Sequence, residues 1–367
     1  MKIFSPLNKS VKIVNKIDLK QSESDQNYLI SASWDKTIKI WRIETGRPLE
    51  YILTLEGHSD SINCIKILPN RRLASGSDDN TIKIWCLKNY QLIQDLTEIH
   101  RDSIFCLKYL AENRLISGSC DNTIKITDLN NPQFVVNLQG HTNFVEYLKL
   151  FSNNRLASGS RDNSVRIWNS ENNGMDDNQR EIHAFTQRHE SNITSLKKIN
   201  PDVLASGSND GSVRFWNLVG YLEDRPLYAY HKGVRSICVL TDSRLAVGYE
   251  DNYIIIWSDW NDSIRLIYDE NTHNGVKCLL ELSNNKLAAA YSNGVIIIWD
   301  LVNYEMIHIL NNGHRRGTEI NDLILIDNDR LASAGADHRI IIWNTNSWRI
   351  LQTLNEHTGE VVTLKKF

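Results

Sequence analysis

The sequence predicts an all-β fold, a single array of eight small antiparallel sheets, each of four strands. The first observation is a phrase that recurs in register. SASWDKTIKIW ends at Trp41, and related phrases end at Trp85, Thr127, Trp168, Trp216, Trp257, Trp299 and Trp343. The spacings are 44, 42, 41, 48, 41, 42 and 44 residues, so residues 1–367 read as one repeat domain rather than two or three independent ones. The second observation is the pattern inside a unit: short β-branched runs of period two, broken by turn residues. The third is punctuation, since none of the 6 prolines falls inside a predicted central strand.

In the second unit the four runs are INCIKIL, RLASGS, TIKIWCL and YQLIQDL, broken at Pro69-Asn70, Asp78-Asp79-Asn80 and Lys88-Asn89. Connections this short make consecutive strands antiparallel neighbours. A four-stranded sheet cannot bury both faces alone. Stacking successive sheets around an axis buries them and leaves only short edges. A His leads most units at a near-constant distance. His58, His100, His141 and His189 share one identical offset from Trp85, Thr127, Trp168 and Trp216. His231 and His273 stand one position closer to Trp257 and Trp299, and His314 stands two positions farther from Trp343.

This arrangement, Gly-His or His, then Asp six residues before a Trp, is similar to the WD40 repeat, and the likeness covers nearly the whole chain. The resemblance implies an eight-bladed WD40 β-propeller with four-stranded antiparallel blades. It also implies hydrogen-bonded tetrads: His58–Ser75–Asp79–Trp85, His141–Ser158–Asp162–Trp168, His189–Ser206–Asp210–Trp216 and His314–Ser333–Asp337–Trp343. Such His/Asp/Ser sets imitate catalytic triads, but a nucleophile would not recur in every blade, and they read as structural. Units depart from the pattern at Thr127, at Val247, and at Ala289 and Asn293, so the sixth and seventh blades are expected to open more readily.

Cys64, Cys106 and Cys278 share one repeat phase relative to Trp85, Thr127 and Trp299, on the first strand of their units. Matching positions in different blades spread around a ring instead of converging, so no metal site is expected. The first unit has Ser31, Asp35 and Trp41 but Val14 where its His belongs. The last residues, EHTGEVVTLKKF, supply His357 and a strand-like run. Residues 359–367 are therefore expected to close the ring as the inner strand of the first blade, with residues 11–19 as the competing segment. The spacing of 48 places an enlarged loop at residues 170–181, between the third and fourth strands of its blade.

Composition narrows the function. The 41 basic and 44 acidic residues give a net charge of −3, which favours neither direct nucleic-acid binding nor a membrane surface. No run reaches the ~18 apolar residues of a membrane span, and MKIFSPLNKS lacks the apolar core of a signal peptide. Six cysteines without a CxxC suit a reducing compartment, cytoplasm or nucleus. There is no Gly-rich phosphate loop, asymmetric acid–base pair or metal constellation, so neither an enzyme nor a cofactor is expected.

The resemblance implies an interaction platform for a protein or peptide partner, within or outside a larger assembly, acting on the face built by the loops from each fourth strand to the next first strand and by the turns between second and third strands. On that face the residue before each turn Asp or Asn varies: Trp34, Asp78, Cys120, Arg161, Asn209, Glu250, Ser292 and Ala336. So does a residue at the start of each first strand: Asn63, Phe105, Glu146, Thr194, Arg235, Lys277 and Asn321. Trp34 and Phe105 are candidate apolar anchors, or simply exposed residues. Arg161, Arg235, Lys277, Arg315 and Arg316 are candidate partner-binding cations. The last four form an expected positive arc for an acidic or phosphorylated peptide, interrupted by Glu250. A substrate-receptor propeller of a ubiquitin ligase is the alternative, against which only a short segment precedes the first repeat core, with no F-box region.

Overall fold

A computed structural model describes residues 27–151, 154–171, 177, 180–186, 189–223, 226–228, 232–258, 263–267 and 274–367. Eight antiparallel sheets follow one another around a ring, and in all but the first the strands run in sequence order from the inside outwards. Blade 2 shows the unit: Ile62–Leu68 is innermost, followed by Arg72–Ser77, Ile82–Cys86 and Gln91–Leu96. The inner strands of blades 3 to 8 are Ile104–Leu110, Val145–Leu150, Ile193–Lys198, Val234–Val239, Val276–Leu282 and Ile320–Asp327. Blade 5 splits its outer strand into two short pieces, Leu222–Glu223 and Leu227–Tyr228, that both pair with Ser212–Asn217.

Blade 1 joins the two ends of the chain. Asn27–Ser33 pairs with Thr37–Ile43 on one side and with Val361–Lys366 on the other. The inner strand therefore comes from the C-terminal segment, and no edge is left open at the seam. Residues 11–19, Val14, His231 and His273 lie outside the described residues, as do parts of the enlarged loop at 170–181.

The core is divided into eight apolar clusters, each formed between two neighbouring blades. Ile30 and Ile40 of blade 1 pack with Ile62, Leu73 and Trp85 of blade 2. The adjacent residues Leu29 and Trp41 point the other way, against Ile326, Ile340 and Ile342 of blade 8. Alternation thus sends successive side chains into different interfaces. Strands buried on both faces then read as near-continuous apolar runs such as IIIW. Each repeat Trp packs against the preceding blade, and Trp41, Trp168, Trp216 and Trp343 are fully buried.

The turns between second and third strands share one backbone device. Their third residue has positive φ in all eight blades: Lys36, Asn80, Asn122, Asn163, Gly211, Asn252, Gly294 and His338. Asn and Gly tolerate that region best, which accounts for the recurring Asp-Asn and Asp-Gly pairs. Lys36 and His338 occupy it without such tolerance.

Candidate functional site

Beneath each of those turns the repeated polar side chains form a relay. In blade 2, His58 Nδ1 is 2.8 Å from Asp79 Oδ2, His58 Nε2 is 2.7 Å from Ser75 Oγ, and Trp85 Nε1–H donates to Ser75 Oγ at 2.9 Å. The same three contacts measure 2.7, 2.6 and 2.8 Å in blade 4, for His141, Ser158, Asp162 and Trp168. They measure 3.0, 2.7 and 2.8 Å in blade 5, for His189, Ser206, Asp210 and Trp216. In blade 8, with His314, Ser333, Asp337 and Trp343, they are 2.8, 2.8 and 2.9 Å.

An ionised carboxylate only accepts, so His Nδ1–H donates to Asp; Nε2 then accepts from Ser, whose oxygen accepts the indole proton. Burial alone would raise the Asp carboxyls, but His, the turn hydroxyl and backbone N–H groups hold Asp79, Asp162 and Asp210 well below the usual range. Every polar atom of the relay is thereby satisfied, and Ser75, Ser158, Ser206 and Ser333 are wholly buried away from solvent.

The structure corrects the expected completion of the first tetrad. His357 reaches Ser31 at 2.6 Å and Asp35 at 2.7 Å, yet Trp41 Nε1 is buried without a hydrogen-bond partner. In blade 3, His100 keeps Ser117 and Asp121 while Thr127 Oγ1 is buried unpartnered. A second Ser, which the sequence reading did not single out, locks the turn. Ser77 Oγ accepts from Asp79 N–H at 3.1 Å and donates to the Asp60 carbonyl at 3.0 Å, with counterparts at Ser119, Ser160 and Ser208. Blades 6 and 7 lose both serines together: Val247 and Ala289 replace the first, and the wholly buried Tyr249 and Tyr291 replace the second.

The variable residues are aimed by a different device. In every blade the pairing of inner and second strands skips one residue, a β-bulge. The skipped residues are Val362, Asn63, Phe105, Glu146, Thr194, Arg235, Lys277 and Asn321. A bulge bends the strand and re-aims its side chain. All of these except Asn63 line a funnel of about 670 Å³, together with Tyr147, Arg161, Asn192, Ile193 and Asn209.

The second variable position stands beside the first. Its backbone N–H donates to the residue before the inner strand in all eight blades, from Trp34 to the Glu360 carbonyl at 2.9 Å through Ala336 to that of Glu319 at 2.8 Å. Side chains couple across the gap: Asn63 with Asp78 at 2.6 Å, Glu146 with Arg161 at 2.7 Å, and Arg235 with Glu250. Phe105 lies 6.3 Å from Phe144, over whose ring Arg161 stacks at 5.1 Å.

This geometry corrects the expected positive arc. Arg235 is paired with Glu250, and Lys277 with Glu319 at 2.5 Å, so the two arc cations that line the funnel are neutralised. Arg315 and Arg316 are exposed but stand outside the funnel, on a loop held against the blade 7 turn by Gly317 N–H donating to the Asn293 carbonyl at 3.0 Å. Trp34 is 50% exposed and also lies outside the funnel lining. Burial pushes the Cys64 and Cys278 thiols up to about 12, so neither is a thiolate nucleophile. Among the described residues no cluster could hold a metal ion. None of their helices is long and apolar enough to cross a membrane.

Comparison with known proteins agrees with the repeat geometry. Residues 10–42, 49–86, 91–128, 132–169, 180–217, 225–258 and 305–344 match the family described as WD domain, G-beta repeat. The unmatched stretch 259–304 holds the seventh unit, with Ala289 and Asn293. A WD repeat-containing protein WDS homolog of Arabidopsis thaliana is 43% identical over 63 residues, 17% of this chain and 12% of that protein. Ribosome biogenesis protein WDR12 homolog of Nematostella vectensis is 41% identical over 64 residues, 17% of this chain and 15% of its own length. Ribosome biogenesis protein YTM1 of Vanderwaltozyma polyspora is 32% identical over 74 residues, covering 20% and 16%. The chain thus aligns with less than a fifth of the length of these relatives. The crystal structure of the computationally designed Ika8 protein superposes with a TM-score of 0.72 at 24% identity, over 87% of this chain and 94% of that one. That likeness concerns the fold.

Proposed function

The chain belongs to the WD40 repeat family, and from that premise we propose that it is a non-enzymatic scaffold whose funnel face seats a peptide segment of a protein partner. The observation that carries this reading is the bulge repeated in every blade. It spends eight equivalent backbone positions on unlike side chains, seven of which converge on one opening. A relay that only stabilised the ring would need no such variety. The wall offers apolar surface at Phe105, Tyr147 and Val362 between ion pairs that are already satisfied, a combination suited to a largely uncharged segment anchored by a few contacts. Pairing of Arg235 and Lys277 disfavours an acidic motif as the segment read here.

All six cysteines are free, which supports a reducing compartment, cytoplasm or nucleus, as the place of action. Two of the relatives are named for ribosome biogenesis, which supports membership of a larger assembly as part of the proposal. The test is affinity capture with the whole chain, identification of bound proteins by mass spectrometry, and titration of the recovered partner. Phe105→Ala is expected to weaken it ~5- to 30-fold, the usual cost of an interface aromatic. Unchanged affinity for both Phe105→Ala and Trp34→Ala overturns the proposal.

A further inference from the structure

Below the funnel the same repeat logic places a set of charges that the peptide-binding reading does not use. Three positions after each bulge, the inner strands carry Lys365, Lys66, Lys108, Lys149 and Lys197 in blades 1 to 5, then Cys238, Leu280 and Ile324 in blades 6 to 8. All eight residues pair with the same position of the second strand: Ile30, Ala74, Ile116, Ala157, Ala205, Ala246, Ala288 and Ala332. They therefore form one tier around the axis, about 10 Å below the bulged residues at ~3.3 Å per residue. Five consecutive blades present lysine amines, and three present uncharged side chains.

All five lysines are half-buried, and they act on one another. Burial first, and then the charges of Lys108, Lys197, Lys66 and Lys365, pull Lys149 down to about 7. Lys108 is lowered by burial and by Lys66 and Lys365, with only cysteines opposing. The ion pair present in the tier is the long one from Lys365 Nζ to Asp322 Oδ2, at 3.7 Å. Lys365 Nζ also turns back up its own strand, donating to Thr363 Oγ1 at 2.9 Å, so its charge faces the funnel side. Among the described residues no carboxylate pairs with Lys66, Lys108, Lys149 or Lys197. An anion able to meet several of them at once would relieve their mutual repulsion on binding, which couples occupancy to stability.

We propose that this lysine tier is a binding site for a compact polyphosphate anion, entered through the funnel and held by Lys66, Lys108, Lys149, Lys197 and Lys365. One carboxylate or one phosphate monoester would balance a minority of the charges, whereas clustered phosphates match both their number and their one-sided distribution. Ammonium groups serve as point-charge partners for phosphate without requiring the planar geometry of Arg.

The test is thermal unfolding and titration calorimetry of the full chain at low ionic strength. Inorganic tripolyphosphate and myo-inositol hexakisphosphate are the two probes, with sulfate at matched ionic strength as control. At saturation either or both polyphosphates raise the unfolding temperature by about 3 °C or more, an effect that fades with added salt. The stronger of the two identifies an inorganic or a polyol source. Lys66→Gln with Lys149→Gln abolishes the shift while unfolding no earlier than wild type without ligand, because repulsion has been removed. Arg315→Ala with Arg316→Ala retains the shift. Absence of a shift in wild type, its survival in the lysine variant, or its loss in the rim arginine variant each overturns the site. Binding of a phosphopeptide through these lysines with no response to either polyphosphate overturns the ligand class. None of these outcomes depends on a partner docking at Phe105 or Trp34.

Discussion

His357 Nε2 lies 2.6 Å from Ser31 Oγ across 326 residues of chain, and His357 Nδ1 lies 2.7 Å from Asp35. The contact that blades 2, 3, 4, 5 and 8 make within one repeat is here made between the two ends of the array. The seam is therefore held by side chains as well as by the backbone pairing of Val361–Lys366 with Asn27–Ser33.

His357→Ala is expected to lower unfolding free energy by about 1–3 kcal/mol, since it leaves buried Ser31 and Asp35 without their partner. A double-mutant cycle with Ser31→Ala, followed by urea unfolding, should show a coupling of at least ~0.5 kcal/mol. Additive single effects would mean that the seam relay contributes no more than separate contacts.

Acidification acts on the same seam in two stages. Burial lowers His357 from its ordinary 6.5, outweighing its Asp35 partner. Burial would raise Asp35, yet His357, Thr37 and Thr358 hold it below its ordinary 3.8. Both groups bind protons more readily unfolded, so each contributes stability at high pH that is lost as pH falls through its folded value. The seam's contribution to stability should be flat above pH ~7, decline below ~6.5 and decline further below ~4. In His357→Gln the first decline should shrink, as followed by urea midpoints across pH; an unchanged profile would assign that decline to other histidines.

Trp85→Ala and Trp168→Ala should each cost about 3–5 kcal/mol, the scale for truncating a buried aromatic. Each removes the donor to its relay Ser as well as the packing against the preceding blade. Thr127→Trp should cost less, because Ser117 already stands where an indole donor could meet it and Thr127 Oγ1 is unpartnered. Urea midpoints of the three variants check the order, and a neutral Trp85→Ala would remove the structural role of the repeat Trp.

His338 holds a φ of 70° in an exposed turn where every sister blade but the first, with Lys36, carries Asn or Gly. His338→Gly should therefore stabilise by about 1 kcal/mol, the cost of left-handed backbone for an ordinary residue. A midpoint shift in the destabilising direction would show that the turn of blade 8 is held by the side chain.

The ring, its eight units and the relay were legible because they are local and repeated: one strand pattern, one turn, one His–Ser–Asp–Trp phase. The C-terminal strand was legible because a His was missing at one end and spare at the other. What escaped was set by geometry between units. Pairing of Arg235 with Glu250 joins residues 15 apart in sequence and neutralises a cation that composition alone counts as free. The bulge that aims Phe105 has no residue signature, since unlike side chains occupy it in each blade. The Lys66 tier lay in plain sequence phase, but alternation hides its meaning until the inner strands are known to face one channel. Tyr249 and Tyr291 escaped because the loss of a Ser is conspicuous and a second replacement two residues later is not.

Site-specific photocrosslinking tests the scaffold account most directly. A photoreactive phenylalanine at position 105 in the funnel should capture the recovered partner in high yield. The same group at Val219 or Val302, exposed on turns at the opposite end of blades 5 and 7, should not. Crosslinking that is absent at 105 and strong at 219 or 302 would contradict the account and move the docking face to the other side of the ring.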